Sequence, residues 1–479
     1  MSLKKKSIRG VFWSLINLIL TRGASFFATV LLARILTPED FGLLGMIMIF
    51  MGIGTTLLNS GLSQSLIRAN DVDEIDYATV FYTNIGISIF VYILIFILAP
   101  YVSVFYEIEI LTIIIRVYSI GFLISATSSI QTAILTKEME FKKITGYQIP
   151  ATVISIFSGI FLAMLDYGVW SLVWMFLINQ LIRSIVFWYK SKWKPALVFD
   201  VKKLQKHFNF GYKLMLSGLI NTAYNNIYNV IFGKYYALNI LGFYERSFTF
   251  QHYITATITE TISNVSYPLL SKIQDDRQKM IEVFKKIIKI TFFILCPIML
   301  GIIPISNSLF EFLLGEKWIG AVPFFKILCL SGILYPLHFL NINLLKVLGR
   351  SDLFLKIEIY KKLVGVSLIL LLFRFGIDGL LASILITSFI GFFINTYYTQ
   401  KLIGYGAIKQ ILDLLPTFIL SIISTGVIFY FSNILRDFNL ILQILIPLFM
   451  GAFFFISSSL ILKLSPVIEI LNLKKTLYK

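Results

Sequence analysis

The chain has 479 residues, of which 57% are hydrophobic and 14% are charged, and its formal net charge is +17. Soluble domains carry a charge on about a quarter of their residues, so this composition excludes an ordinary soluble protein and indicates an integral membrane protein. The basic residues are spread between apolar runs and are not gathered on one domain. We therefore expect no nucleic-acid partner.

The sequence contains no signature of a cofactor or a metal site. Cys296 and Cys329 both fall in apolar runs without a CxxC spacing, and His207, His252 and His338 are isolated. The sequences HExxH and GxxxxGK[ST] do not occur, which excludes the common zinc-hydrolase and ATP-binding motifs. We predict no cofactor, no metal and no catalytic residue.

The first long apolar run, residues 11–36, carries Arg22 near its middle. As a helix the run would be about 39 Å long, enough to cross a hydrocarbon layer of about 30 Å. A guanidinium near the bilayer centre is unfavourable in lipid, so we expect Arg22 to face a polar cavity. Asn17, Thr21 and Ser25 share one side of this helix, which indicates the wall of a transport pathway. Polar packing between helices is the alternative.

Apolar runs separated by charged residues or by Gly and Pro predict an all-α integral membrane protein with about 14 transmembrane helices. The eighth would be about 50 Å long, so its end should project from the membrane after a bend at Pro268. The predicted spans are 11–35, 41–67, 77–102, 110–135, 144–165, 168–189, 208–233, 238–271, 280–305, 320–345, 352–373, 378–400, 412–435 and 439–462.

Lysine and arginine are distributed unequally between the loops on the two sides of these spans. Most lie on the side of the N-terminus, and the opposite side carries Arg34, Lys234, Lys317, Arg374 and Arg436. Cytoplasmic loops hold the excess of basic residues, so both termini are predicted to be cytoplasmic. The acidic cluster at residues 71–76 lies on the same inner side and does not change this prediction, because acids contribute little to the rule.

Parts of the sequence repeat after 200 residues. The repeat pairs a polar stripe, a basic residue and a glycine: Asn17, Thr21, Ser25, Arg34 and Gly42 with Ser217, Asn221, Asn225, Lys234 and Gly242. Six spans recur, and an even number gives two parallel bundles related by a pseudo-twofold axis along the membrane normal. We predict an N-terminal six-helix bundle at 1–190, a cytoplasmic linker at 191–207, a C-terminal six-helix bundle at 208–402, and two additional helices with a cytoplasmic tail at 403–479.

Three stretches carry a resemblance to a known family: LARILTPEDFGLLGM at 32–46, LGFYERSFTF at 241–250 and VSYPLLSKIQDD at 265–276. With the two-bundle plan they resemble the Wzx-type polysaccharide transporters of the MOP superfamily, and among these the exporters of colanic acid, teichuronic acid and O-antigen. The resemblance implies a flippase, not an enzyme, that moves an undecaprenyl-diphosphate-linked oligosaccharide across the bacterial inner membrane by alternating access. Membrane lipids and other membrane proteins of polysaccharide assembly are its implied further partners.

Related flippases line a central cavity with basic residues, and the resemblance assigns that role to Arg22. Arginine suits a diphosphate because its N–H donors match phosphate oxygens. Glu260 is the candidate for a coupling proton or sodium ion, or it pairs with an arginine. The other substrate-binding candidates are the cations Arg246 and Lys326 and the hydrogen-bonding residues Asn17, Thr21, Asn221 and Asn225; Arg183 is one more cation inside a span.

Two other functions remain open from the residues alone. A multidrug or organic-cation antiporter of the related extrusion branch would need carboxylates inside the membrane, and residues 10–36 contain none. A polysaccharide polymerase or ligase would need a large outer loop, and the longest one, 306–320, is short. Both observations favour a transporter of an anionic cargo.

Overall fold

The computed structural model describes residues 23–58, 61–69 and 71–469. Helices are the only regular secondary structure in these ranges, which confirms the predicted all-α class. The chain divides into two compact units, with the boundary between Glu245 and Arg246. The predicted bundle limits stay predictions.

The first unit contains the described part of the first helix, ten complete helices, and the start of a long helix in which the boundary falls. Their bounds are α1 (Gly23–Ile35), α2 (Pro38–Leu58), α3 (Leu62–Arg68), α4 (Glu74–Tyr106), α5 (Ile110–Tyr118), α6 (Ile120–Thr127), α7 (Ser129–Lys137), α8 (Phe141–Met164), α9 (Val169–Lys190), α10 (Val201–Asn225), α11 (Ile227–Tyr235) and α12 (Leu238–Lys272). Helix α12 is one helix that continues through Pro268.

The second unit continues from α12 and adds two short 3₁₀ helices, Glu316–Ala321 and Phe373–Phe375. Its other helices are α13 (Arg277–Ile302), α14 (Ser306–Leu314), α15 (Val322–Gly332), α16 (Tyr335–Val347), α17 (Ser351–Leu372), α18 (Gly376–Ile403), α19 (Ala407–Ile434) and α20 (Leu440–Ile461).

Nine stretches of the described residues are long and apolar enough to cross a membrane, and α13 with α14, bent by 80° at their break, makes a tenth if counted as one span. One of the nine, Asp352–Ile403, has 52 residues and would be about 78 Å long as a straight helix, far more than one crossing needs. It consists of α17 and α18, which pack against each other. The count of 14 spans stays a prediction, and the first half of the first predicted span, residues 11–22, lies outside the described residues.

The outward faces of these helices are apolar. Val104 on α4 and Ile461 on α20 are each more than three quarters exposed, and many other large apolar side chains are exposed on the same helices. Continuous apolar surface of this kind is unfavourable in water and is expected where a helix faces lipid chains. The chain is therefore a multi-pass membrane protein.

The beginnings of α2 and α12 approach so closely that neither can carry a side chain at the point of contact. A Cβ added to Gly42 would overlap the carbonyl oxygen of Leu238, and one added to Gly242 would overlap the carbonyl oxygen of Pro38. The two contacts are reciprocal, because Gly242 lies 200 positions after Gly42 and Leu238 lies 200 positions after Pro38. Reciprocal contacts are typical of a twofold relation, as the sequence repeat predicts.

A junction of buried polar side chains joins α3, α4 and α10. The ring of His207, fully buried on α10, bonds Ser65 Oγ through Nδ1 at 2.8 Å and Asp76 Oδ1 through Nε2 at 3.0 Å. Asp73 and Asp76 form a capping box at the start of α4, and both accept hydrogen bonds from Lys203. The bond with Asp73 is the main reason why the pKa of Lys203 is raised. The predicted inner acidic cluster therefore holds the start of α10 against α4.

Candidate functional site

A polar pocket of about 280 Å³ lies among the helices of the first unit. Its lining comes from α2, α3, α4, α6, α7 and α9, most of which belong to stretches long and apolar enough to cross a membrane. Ten of its 14 lining residues carry a hydroxyl, amide or guanidinium group, among them Thr55, Asn84, Ser129, Thr132, Gln180 and Arg183. Polar groups at this depth are unfavourable against lipid, so such a pocket inside a helix bundle is a candidate functional site.

The serine-rich segment 125–129 forms one wall of the pocket because it interrupts the helix there. Ser125 and Ser129 donate hydrogen bonds to the carbonyl oxygens of Phe122 and Ala126, at 3.0 and 2.9 Å. Hydroxyls that bond to the preceding turn compete with the helix ladder and bend it. As a result α6 ends at Thr127 and α7 begins at Ser129, and the hydroxyls of both ends line the pocket.

Arg183 supplies the only positive charge among the described residues that line this pocket. It lies on α9 about 10 Å before the end of the helix at Lys190. Its guanidinium carbon is 5.7 Å from the ring centre of Phe187, while its Nε is buried without a hydrogen-bond partner. A guanidinium with an unused donor in this setting is suited to binding an oxyanion.

Asn84 on α4 adds an unused acceptor to the same pocket. Its Nδ2 donates to Ser129 Oγ at 3.1 Å, whereas its Oδ1 is buried without a hydrogen-bond partner. A carbonyl oxygen of this kind can accept a hydrogen bond from a ligand hydroxyl or amide group. The pocket therefore combines an unused guanidinium donor with an unused amide acceptor.

The structure tests the placement of the predicted site residues only in part. Arg22, Asn17 and Thr21 lie outside the described residues. Asn221 is half-buried on α10, and Asn225 is exposed as the last residue of that helix. Neither lines the polar pocket. Their role in binding stays a prediction.

The other predicted residues belong to the second unit, and each is half-buried. Arg246 and Glu260 both lie on α12, where the 14 positions between them correspond to about 21 Å along the axis. Lys326 lies on α15. The helix therefore does not bring Arg246 and Glu260 side by side, and all three assignments stay predictions.

The predicted site residues do not include an ionisable cluster in the second unit. Glu358 and Lys361 on α17 form an ion pair of 2.6 Å, about 10 and 15 Å from the start of that helix. Nearby, His338 on α16 bonds Ser388 Oγ at 3.2 Å and Asn395 Nδ2 at 3.0 Å, both on α18. The signal was present in the sequence, because EIYKKLVGV places charges inside an otherwise apolar span.

Comparison with protein families and with other sequences gives consistent matches. A family model described as polysaccharide biosynthesis protein matches residues 31–323. The chain is 25% identical over 430 residues to the lipopolysaccharide biosynthesis protein WzxC of Escherichia coli (strain K12), covering 88% of this chain and 87% of the relative. It is 25% identical over 355 residues to the teichuronic acid biosynthesis protein TuaB of Bacillus subtilis (strain 168), covering 74% and 73%. The match to the succinoglycan biosynthesis transport protein ExoT of Rhizobium meliloti (strain 1021) is 23% over 333 residues, covering 69% and 67%.

Solved structures with the same fold are also known. The lipid II flippase MurJ in an inward closed conformation superposes with a TM-score of 0.77 at 18% identity, covering 95% of this chain and 99% of the other. An inward-facing multidrug resistance MATE transporter of the MOP superfamily gives a TM-score of 0.62 at 15% identity, covering 83% and 100%. At these identities the likeness shows the fold alone.

Proposed function

This chain belongs to the family of polysaccharide biosynthesis proteins, and from that premise we propose that it moves an undecaprenyl-diphosphate-linked oligosaccharide between the leaflets of a bacterial inner membrane. The cargo would pass from the cytoplasmic to the outer leaflet for the assembly of a surface polysaccharide. Relatives that are named for polysaccharide biosynthesis or transport and extend over most of the chain support this proposal.

The polar pocket around Arg183 is the observation that carries the proposal. A diphosphate is an anion that must be held while its lipid tail stays in the bilayer, and arginine binds phosphate oxygens with paired donors. Arg183 has an unused donor and Asn84 an unused acceptor in the same pocket. A phosphate group and a neighbouring sugar together would satisfy both. Arg22, in the first predicted span, remains the other residue that we expect to bind the diphosphate.

Alternating access is the mechanism that such a protein would use, since the site must open to one side at a time. A cargo shifts this equilibrium only if its affinity differs between the two states. Net direction therefore requires an ion gradient, the membrane potential or the consumption of cargo outside. Glu260 is our candidate for a coupling proton or sodium ion, and both termini are proposed to be cytoplasmic.

A multidrug or organic-cation antiporter is disfavoured by the charge of the pocket. Arg183 would repel a cation, and no carboxylate among the described residues lines the pocket. The shared fold with the MATE transporter does not specify a substrate. The absence of enzymatic activity remains part of the proposal.

Deletion of the gene in its native host tests the function. We expect the surface polymer to disappear while its lipid-linked unit accumulates on the cytoplasmic leaflet. Complementation should restore export with the wild-type chain, fail with Arg22→Ala and with Arg183→Gln, and recover in part with Arg183→Lys, which keeps the charge but not the paired donors.

Arg116→Gln is the matched control, because Arg116 also lies in a predicted span but donates to the carbonyl oxygen of Phe96 at 3.3 Å. It should export normally at the wild-type protein level. Normal export with both Arg22→Ala and Arg183→Gln at that level would contradict the proposed anion pathway. Accumulation of a drug in the deletion strain, with the polymer unchanged, would favour the antiporter.

A further inference from the structure

A second pocket in the first unit lies between the beginning of α8 and the end of α9, at the ends of two membrane-spanning helices. Its volume is about 610 Å³. Three lysines line it, Lys142 and Lys143 from α8 and Lys190 from α9, and all three are exposed. It shares no lining residue with the polar pocket around Arg183.

The charge of this pocket is strongly positive. Among its described lining residues Glu140 is the one carboxylate, and it lies 3.6 Å from the Nζ of Lys143. One carboxylate against three lysines leaves the group with a net positive charge. The Nζ of Lys190 is 5.2 Å from the ring centre of Tyr189, an aromatic residue at the same helix end. Lysines beside an aromatic residue are typical of the headgroup level of a membrane.

The pocket continues into an apolar surface along the same helix. Pro150 forms part of its lining, and Ile154, Phe157 and Phe161 follow at spacings of three and four, so they share one side of α8. These three are between half and almost three quarters exposed. At the head of this surface, a Cβ added to Gly146 would meet nothing within 4 Å, so the space above the backbone is open.

From this combination we infer that the pocket binds the headgroup of an anionic phospholipid, whose chains lie along the exposed face of α8. Basic pockets between membrane helices on the cytoplasmic side bind anionic headgroups. A free phosphate would use the lysines but gain nothing from the apolar surface. The site is independent of the proposed transport function, since it lies outside the polar pocket and needs no cargo.

Lipid binding to the full-length chain tests this inference. Purified protein is titrated with phosphatidylglycerol or phosphatidylcholine in detergent, and bound lipid is counted by native mass spectrometry. The test variant is K142Q/K143Q/K190Q. The matched control is K192Q/K194Q/K202Q, which removes the same charge from exposed lysines in the connection after α9 and at the start of α10 that do not line the pocket.

We expect the wild-type chain to retain phosphatidylglycerol in preference to phosphatidylcholine, and the affinity to fall about fivefold for each pocket lysine removed. The control should change less than twofold. Equal loss in both triple variants, or no preference between the two lipids, would overturn the inference. So would displacement of phosphatidylglycerol by millimolar inorganic phosphate, because that would identify a site for a free anion.

Discussion

Replacing His207 with alanine should loosen the junction between α3, α4 and α10. The fully buried ring bonds Ser65 Oγ at 2.8 Å and Asp76 Oδ1 at 3.0 Å. A carboxylate can only accept, so the Nε2–H of His207 donates to Asp76. The substitution removes both bonds, leaves a space where the ring was, and takes one partner from a carboxylate that is itself buried.

The expected loss of stability follows from these contacts. Leaving a buried polar group without its partner costs about 1–3 kcal/mol, more for a charged group, and two groups are affected here. Asp76 keeps its bonds with Lys203 and with the backbone of Asp73, so the lower part of that range applies to it. We estimate about 3 kcal/mol in total, which corresponds to a fall in melting temperature of at least about 6 °C for a unit of this size.

Thermal unfolding of the purified full-length chain in detergent measures this effect. Lys206→Ala is the matched control, because Lys206 is the exposed neighbour on the same helix. A double-mutant cycle of Ser65→Ala with His207→Ala isolates their interaction, which should be at least about 0.5 kcal/mol. A His207→Ala protein that melts within about 1 °C of the wild type would refute the reasoning.

Two further predictions concern the opposite end of the first unit. Gly42→Ala should destabilise the fold by about 1–3 kcal/mol because its Cβ would overlap a backbone oxygen, whereas Gly86→Ala, which meets nothing within 4 Å, should not; thermal unfolding compares them. The hydrogen bond from Lys234 lowers the pKa of Glu107, so this pair stabilises the protein above about pH 4.5 and the effect is lost as the pH falls through the lowered pKa. Wild type and Glu107→Gln should therefore melt at different temperatures at pH 7 and at converging temperatures toward pH 3, and an unchanged difference would contradict the assignment.

The pseudo-twofold relation between α2 and α12 was predictable because repeats leave matching residues at a constant distance in the sequence. Gly42 and Gly242 were paired by the shift of 200 residues, and the structure places each against the backbone of the other helix. The predicted feature was only that a glycine opens each span. That the two glycines form one contact depends on how the helices cross, which the repeat does not specify.

The breaks inside the predicted spans were not predictable from hydropathy. The run 110–135 was expected as one helix, but it consists of α5, α6 and α7. Likewise, the run 41–67 breaks at Gly61, which has the left-handed conformation, and the run 320–345 contains all of α15 and most of α16. A hydropathy score sums the transfer free energies of the side chains. It does not register serine or threonine hydroxyls that bond to carbonyl oxygens of the preceding helical turn. The breaks within 41–67 and 110–135 position the serines that line the polar pocket.

The site itself was predictable in its chemistry and only partly in its residues. An intramembrane arginine in a polar setting was expected, but that role was assigned to Arg22, and Arg183 was noted only as a further cation inside a span. Its surroundings were not, because Asn84 and Ser129 come from helices that are distant in sequence from α9. The acidic residues 71–76 were expected to matter little for orientation, yet two of them form the junction with His207 and Lys203.

Arg116 and Arg183 show why sequence cannot separate a structural from a functional arginine within the membrane. Both lie in apolar spans and look alike in the sequence. The guanidinium of Arg116 packs over the ring of Phe96 at 4.0 Å and donates to the carbonyl oxygen of the same residue, so its desolvation is partly offset within the fold. The guanidinium carbon of Arg183 lies 5.7 Å from the ring centre of Phe187, and its buried Nε has no hydrogen-bond partner. A buried donor left unpaired is unfavourable for the resting protein. An anionic headgroup would remove that penalty on binding, so the affinity of the pocket for cargo should depend on Arg183 and be indifferent to Arg116.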